Sequence, residues 1–410
     1  MIIQTTRHTT RLLVAAMALL AMLALSACSS DDSAAEADSQ SVVVVFQLSI
    51  PRTEAATTRA TTESVAAGTD LEHRLSSLHV VLYDKQGNFI AQEYGLRITP
   101  LSTSTTGNYE YTANVEVSME VPEAYRTTTA FEGELVVYAN TDIPASTSYV
   151  GTGISDLTFQ LPSYTAPDAL PMWGMRAIKA DDNVVLTAGT RNDLTGKDDD
   201  AIDLMRSVAK VTVDLTPEMV ADGWTFEDLC LTHYNDKGYV LPNGYFSQNA
   251  VNSYEFASAT TLMAYPGDNK DNNARFRAYS TTENGVTTVN SGALTELHFN
   301  NGTAATAGLP VYIPEYDNTT PGVTPSTIRL KLKHNGTSEG TTYELKFANY
   351  NSKPSDDGNG DYDQVVSGTE FNLVRNTWYQ YHVYKLSQHK IGVTLTVKPW
   401  YYVEHDPIVM

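Results

Sequence analysis

Cys28 is the residue of this chain best placed for covalent chemistry. It follows Leu25-Ser26-Ala27, and behind these lies an unbroken apolar run over residues 12–25, preceded by Arg7 and Arg11. A basic start, an apolar stretch and small residues abutting a cysteine form a secretory signal with a lipobox. Cleavage after Ala27 leaves Cys28 as a new N-terminus whose thiol takes up lipid. A membrane-spanning helix needs roughly 20 apolar residues, and this run is shorter. Residues 1–27 therefore read as a signal peptide, and lipid on Cys28 ties the precursor to a membrane. The chain has only one other cysteine, Cys230, so no internal disulfide is expected. Cys230 alternates within Asp228-Leu229-Cys230-Leu231-Thr232, the setting of a buried thiol that acts as a small hydrophobe.

Other reactive constellations are poor. The nine histidines include no His-Glu-x-x-His pair, and no Gly-x-Ser-x-Gly elbow is present. Gly196-Lys197-Asp198 lacks the spacing and the hydroxyl of a phosphate loop. Counted from Asp357, a calcium loop would need glycine sixth and glutamate twelfth. The chain has Tyr362 and Gly368 there, so residues 356–363 read as a solvated hairpin loop. His382 and His389 fall in or beside a strand-like run and are expected at the surface. We expect no enzyme, no cofactor and no metal. A net charge of −21 argues against nucleic acid as a partner.

The elements that must carry these residues are strands. Apolar residues recur at every second position over 42–50, 75–83, 109–121, 134–140, 206–215, 229–231, 294–299, 309–313, 328–333, 343–347, 377–386 and 391–397, with shorter apolar runs at 184–186, 262–265 and 274–279. Asp84-Lys85-Gln86-Gly87-Asn88 is a hairpin turn. Thr216-Pro217 opens a helix of one or two turns. The fold class is all-β with little helix, in two β-sandwich domains. The polar stretch 187–203 marks the boundary, with domains at 60–195 and 196–410.

Residues 28–59 form a separate unit. The acidic, serine-rich run to Ser41 cannot build a core. Val42, Val44, Phe46, Leu48 and Ile50 then share one face of a strong strand ended by Pro51. A Thr/Ala-rich linker follows, open to proteases. The strand is either a removable segment or an ordinary first strand before a long loop.

Several motifs together resemble the fimbrillins, lipoprotein-derived subunits of type V pili. Leu135-Val136-Val137-Tyr138-Ala139-Asn140, Leu170-Pro171-Met172-Trp173-Gly174, Val184-Val185-Leu186 and Arg206-Ser207-Val208-Ala209-Lys210-Val211-Thr212-Val213 carry the resemblance in the first half and middle. Val311-Tyr312-Ile313-Pro314-Glu315, Asn376-Thr377-Trp378-Tyr379 and Val393-Thr394-Leu395-Thr396-Val397-Lys398-Pro399-Trp400 carry it in the second half. The resemblance implies two transthyretin-like sandwiches. It also implies partners: other fimbrial subunits and an Arg-specific protease that cuts at Arg59-Ala60 and removes strand one. Arg52-Thr53 is the alternative cut. A strand from the C-terminal segment 391–410 of another subunit then fills the groove, through Val393, Leu395, Val397, Trp400, Tyr402 and Ile408. If 391–397 closes the second sandwich, the tail 401–410 is the exchanging piece. Stalk, tip and anchor roles all remain open. A surface glycan-binding lipoprotein is the competing reading, since it too would have a lipobox, an acidic tether and β-sandwiches.

Overall fold

Strands built on this alternation pair into four sheets stacked two by two. The computed structural model describes residues 41–51, 70–95, 97–102, 109–144, 154, 156–195, 201–243, 246–248, 254–256, 276–302, 304–348, 370–387 and 390–399. The first sheet has the order β10 (Ala201–Asp203), β1 (Val42–Pro51), β5 (Tyr109–Met119), β4 (Arg97–Ser102), and β9 (Arg191–Asp193) also pairs with β1. The second has β11 (Met205–Arg206), β8 (Met172–Ile178), β6 (Gly133–Ala139), β2 (Leu78–Asp84) and β3 (Phe89–Tyr94). The third has β20 (Val311–Ile313), β12 (Ala209–Leu215), β23 (Thr377–Ser387) and β24 (Lys390–Pro399). The fourth has β19 (Ala293–His298), β13 (Trp224–Asn235), β21 (Thr327–His334) and β22 (Thr341–Lys346). Three small ribbons join β7 (Thr158–Gln160) to β14 (Lys237–Tyr239), β15 (Phe246–Gln248) to β16 (Tyr254–Phe256), and β17 (Ser280–Glu283) to β18 (Val286–Val289). The architecture is all-β, in two sandwiches.

Each sandwich has its own apolar core, because the inward residues of its two sheets interdigitate. The first core joins Val42, Val44, Phe46, Leu48 and Ile50 of β1 to Val115 and Val117 of β5 and to Val80, Leu82, Leu135 and Val137 across the gap. The second joins Val211, Val213, Tyr379 and Tyr381 to Phe226, Leu229, Leu330 and Leu332. The chain passes from the first pair of sheets to the second at Ser207 and Val208, between β11 and β12. That crossover follows the boundary expected at 195/196, because β10 and β11 extend the first pair.

The turn at 84–88 is formed as its residues dictate. Asp84 accepts hydrogen bonds from the backbone N–H of Gln86 and Asn88 at 2.9 and 2.8 Å, and Gly87 takes φ +76°, which suits a residue without Cβ. The short α-helix α1 (Pro217–Ala221) starts with Pro217 as expected. Two expected strands differ. Residues 276–279 are irregular, and so are 184–186, although Val184 and Leu186 are fully buried in the first core. The backbone of Val185 bonds instead to the Asn192 side-chain amide, at 2.8 and 3.0 Å. That amide satisfies the segment as a strand partner would. The run at 262–265 lies outside the described residues.

A third apolar cluster forms the seam between the sandwiches. It joins Val81, Tyr138 and Trp173 on the outer face of the second sheet to Phe159, Val240, Leu241 and Tyr312. Glu72 adds a polar clamp beside it. Its carboxylate pairs with Lys210 and accepts from the Tyr312 hydroxyl at 2.8 Å. Its backbone carbonyl accepts from Arg206 Nε at 3.0 Å, and Lys210 also sits over the Trp378 ring at 4.4 Å.

Candidate assembly site

β1 comes first in the chain yet lies in the middle of a sheet. On one side it runs antiparallel to β5, from Val42↔Met119 to Pro51↔Tyr109. On the other it runs parallel to two short strands, β9 at Val43 to Val45 and β10 at Gln47 to Ser49. β9 and β10 have no ladder partner other than β1 among the described residues. Backbone bonds complete this edge: Val43 N–H donates to Thr190 O, Leu194 N–H to Val45 O and Leu204 N–H to Ser49 O, each at 2.8 Å.

Both faces of β1 are covered. The five inward residues are between 0 and 1% exposed. On the outward face Val43 and Val45 are also buried. There the Arg191 guanidinium on β9 meets the Glu116 carboxylate on β5 at 2.8 Å. Arg191 is the register partner of Val43 and Glu116 that of Val45, so this ion pair crosses the outward face of β1. Farther along, Ser49 is fully buried and its hydroxyl donates to Asp203 on β10. At the start, Ser118 Oγ donates to Ser41 Oγ at 2.7 Å.

The magnitudes bear on what this strand can do. Burying one large aliphatic or aromatic side chain is worth about 1.5–3 kcal/mol, so five inward residues contribute on the order of 10 kcal/mol. Ten residues of strand also fill a slot roughly 33 Å long with backbone pairing on both sides. Without β1 the first sandwich would expose an apolar groove and unpaired strand edges of the kind folded proteins guard against.

The C-terminal residues named from the sequence fall in two places. Val393, Leu395 and Val397 lie in β24, antiparallel to β23 from Thr377↔Pro399 to Ser387↔Lys390. They pack against the second core while only partly buried, as befits an edge strand. Trp400, Tyr402 and Ile408 lie outside the described residues, as do Cys28, Arg52, Arg59, Ala60, His389 and the loop 356–363. Cys230 is fully buried on β13, and burial pushes its thiol pKa up. His382 bonds through Nδ1 to Asp214 at 2.9 Å. No described group of His, Cys, Asp and Glu has the arrangement of a metal site. Among the described residues no helix is long and apolar enough to cross a membrane. Arg191 and Asp203 were not singled out by the sequence, because β9 and β10 are three-residue strands inside a stretch that reads as a linker, and Glu116 reads as one solvated charge on the outer face of β5.

Comparison with known proteins adds the family. No curated protein matches the chain. Among solved structures, the tip fimbrial protein Mfa3 of Porphyromonas gingivalis, truncated at its C-terminus, is similar at 15% identity and a TM-score of 0.47, covering 88% of this chain and 100% of its own. Fimbrilin FimA of Porphyromonas gingivalis W83 aligns at 13% identity and a TM-score of 0.43, covering 89% of this chain and 99% of its own. The fimbrial anchor protein Mfa2 of Porphyromonas gingivalis aligns at 10% identity and a TM-score of 0.31, covering 88% of this chain and 97% of its own. The family model of fimbrillin-A associated anchor proteins Mfa1 and Mfa2 matches residues 51–406, nearly the whole of the chain after β1, and the chain therefore belongs to this family.

Proposed function

We propose that this chain is a structural subunit of a cell-surface fimbrium that joins its neighbours by strand exchange and supports adhesion. Lipid on Cys28 holds the precursor at the outer membrane. An Arg-specific protease cuts the linker after Arg59, so that Ala60 becomes the N-terminus and β1 is no longer covalently attached. A strand from the C-terminal segment 391–410 of another subunit then enters the slot. Contacts of this kind run head to tail and do not close, so they build a filament.

The position of β1 carries this reading. A first strand ordinarily takes an edge or pairs with its sequence neighbour. Here it is held between β5 and the parallel pair β9 and β10, and its link to the rest of the chain runs through a linker containing Arg52 and Arg59. The family description favours a second reading, an anchor subunit in which β1 stays in place. N-terminal sequencing of the surface form separates the two. A start at Ala60 supports polymerisation, a start at Thr53 moves the cut to Arg52, and a lipidated start at Cys28 with no shorter form supports the anchor.

A further inference from the structure

We infer that Asp203 selects the strand that replaces β1, by requiring a hydrogen-bond donor at the place now held by Ser49. The inference rests on the strand-exchange reading above. Ser49 lies on the outward face of β1 between Leu48 and Ile50. It is fully buried, its hydroxyl donates to Asp203 Oδ1, and it stands in parallel register with Asp203.

Asp203 is held by contacts that β1 does not make. The backbone of β10 lies directly on Gly174 of β8, where an added Cβ would come within 2.5 Å of Asp203 O and 2.8 Å of Ile202 Cγ2. Ile202 and Leu204 are fully buried in the first core. Met205 follows at once and pairs with Trp173. β10 is thus fixed to the second sheet, and its carboxylate stays at the end of the slot when β1 is exchanged.

An ionised carboxylate only accepts hydrogen bonds. A hydroxyl or an ammonium on the incoming strand satisfies Asp203 as Ser49 does. Asp203 is only part-buried, so an aliphatic side chain at this place forfeits the bond that Ser49 makes, and a carboxylate sets like charge against it. The partner is therefore a strand that runs as β1 runs, with apolar residues at the places of Val42, Val44, Phe46, Leu48 and Ile50 and a donor before the last. Although 391–397 closes the second sandwich as β24, the arrangement in which the tail 401–410 was expected to exchange, the segment 391–399 of a second copy meets most of this. With Ile391 at the place of Val42, Val393, Leu395 and Val397 take the next three apolar places, and Lys398 comes to Ser49. Only Pro399 departs from the pattern. In the tail 401–410, one alternation places Glu404 and Asp406 at apolar positions and the other places His405 and Pro407 there. β24 is also an edge strand whose Val393, Leu395 and Val397 are only partly buried, Ile391 alone of its inward residues being fully buried, and so is easier to release than β1.

Full-length chain cut in its linker by an Arg-specific protease, with β1 still seated, provides the test. Fluorescent peptides of residues 41–51 are added, with native Ser49, Ser49→Lys or Ser49→Asp. The first two should displace β1, and Ser49→Asp should enter about tenfold less, the effect of roughly one lost charged contact. In Asp203→Asn chain this discrimination should vanish. Equal entry of all three peptides into native chain, or discrimination that survives Asp203→Asn, overturns the inference alone. Entry of no peptide overturns the exchange reading and the inference with it. In uncut chain, Asp203→Asn should restore most of the urea midpoint lost through Ser49→Asp. A midpoint that is not restored shows that the two side chains are uncoupled and also overturns the inference.

Discussion

Glu134 is a carboxyl in a place that suits its neutral form. It stands on β6 opposite Tyr83 and Ala177, and burial raises its pKa to about 7. The folded chain therefore holds a proton between about pH 4.5 and 7 that the unfolded chain releases. Stability is full below the unfolded pKa and falls as pH rises through 7, by at most about 3 kcal/mol. Urea titrations at pH 5 and pH 8 should show this loss in native chain and little of it in Glu134→Gln. Cys230 makes the second prediction at this scale. A buried thiol with a raised pKa is a poor nucleophile. Iodoacetamide should leave native chain unlabelled and modify Cys230 once the chain is unfolded, and Cys230→Ser should cost about 1–2 kcal/mol without affecting export.

Among the elements, β1 is the one whose side chains can be graded by position. Phe46 sits at its centre with no exposed surface, so Phe46→Ala should cost about 3–5 kcal/mol in chemical denaturation. The Arg191–Glu116 ion pair across β1 is half exposed on the arginine side. Pairs of that kind contribute about 0–1 kcal/mol. Glu116→Gln should therefore leave the denaturation midpoint nearly unchanged, which tells the apolar slot apart from the charges above it as the source of affinity for the strand. A loss from Glu116→Gln as large as that from Phe46→Ala would reverse this order.

At the scale of the molecule, the seam decides whether two sandwiches behave as one. The apolar cluster there is joined by the clamp at Glu72, which links the first sandwich to Lys210 and Tyr312 of the second. Removing one partner of a buried ion pair costs about 3–5 kcal/mol. Glu72→Ala should lower stability by that order and split a single thermal unfolding step into two. Calorimetry of native and variant chain checks this, and one unaltered transition in the variant would refute the coupling.

Much of this was legible in the residues. Period-two alternation determined nearly all the long strands, since one face of each must leave water. Asp84 and Gly87 determined their turn, and Pro217 the start of the short helix. The order of the motifs determined the family. The strength of β1 was equally plain, but not its neighbours. Its place between β5 and the pair β9 and β10 comes from pairings between 58 and 154 residues apart in the chain, which no local pattern encodes. Residues 184–186 have a strand composition yet close on Asn192, because a side-chain amide satisfied the backbone first. Asp203, Arg191 and Glu116 look like solvated surface charges in the sequence. Only the fold lays them beside and across β1, where three-residue strands too short to show a period are paired by a neighbour from the far end of the chain.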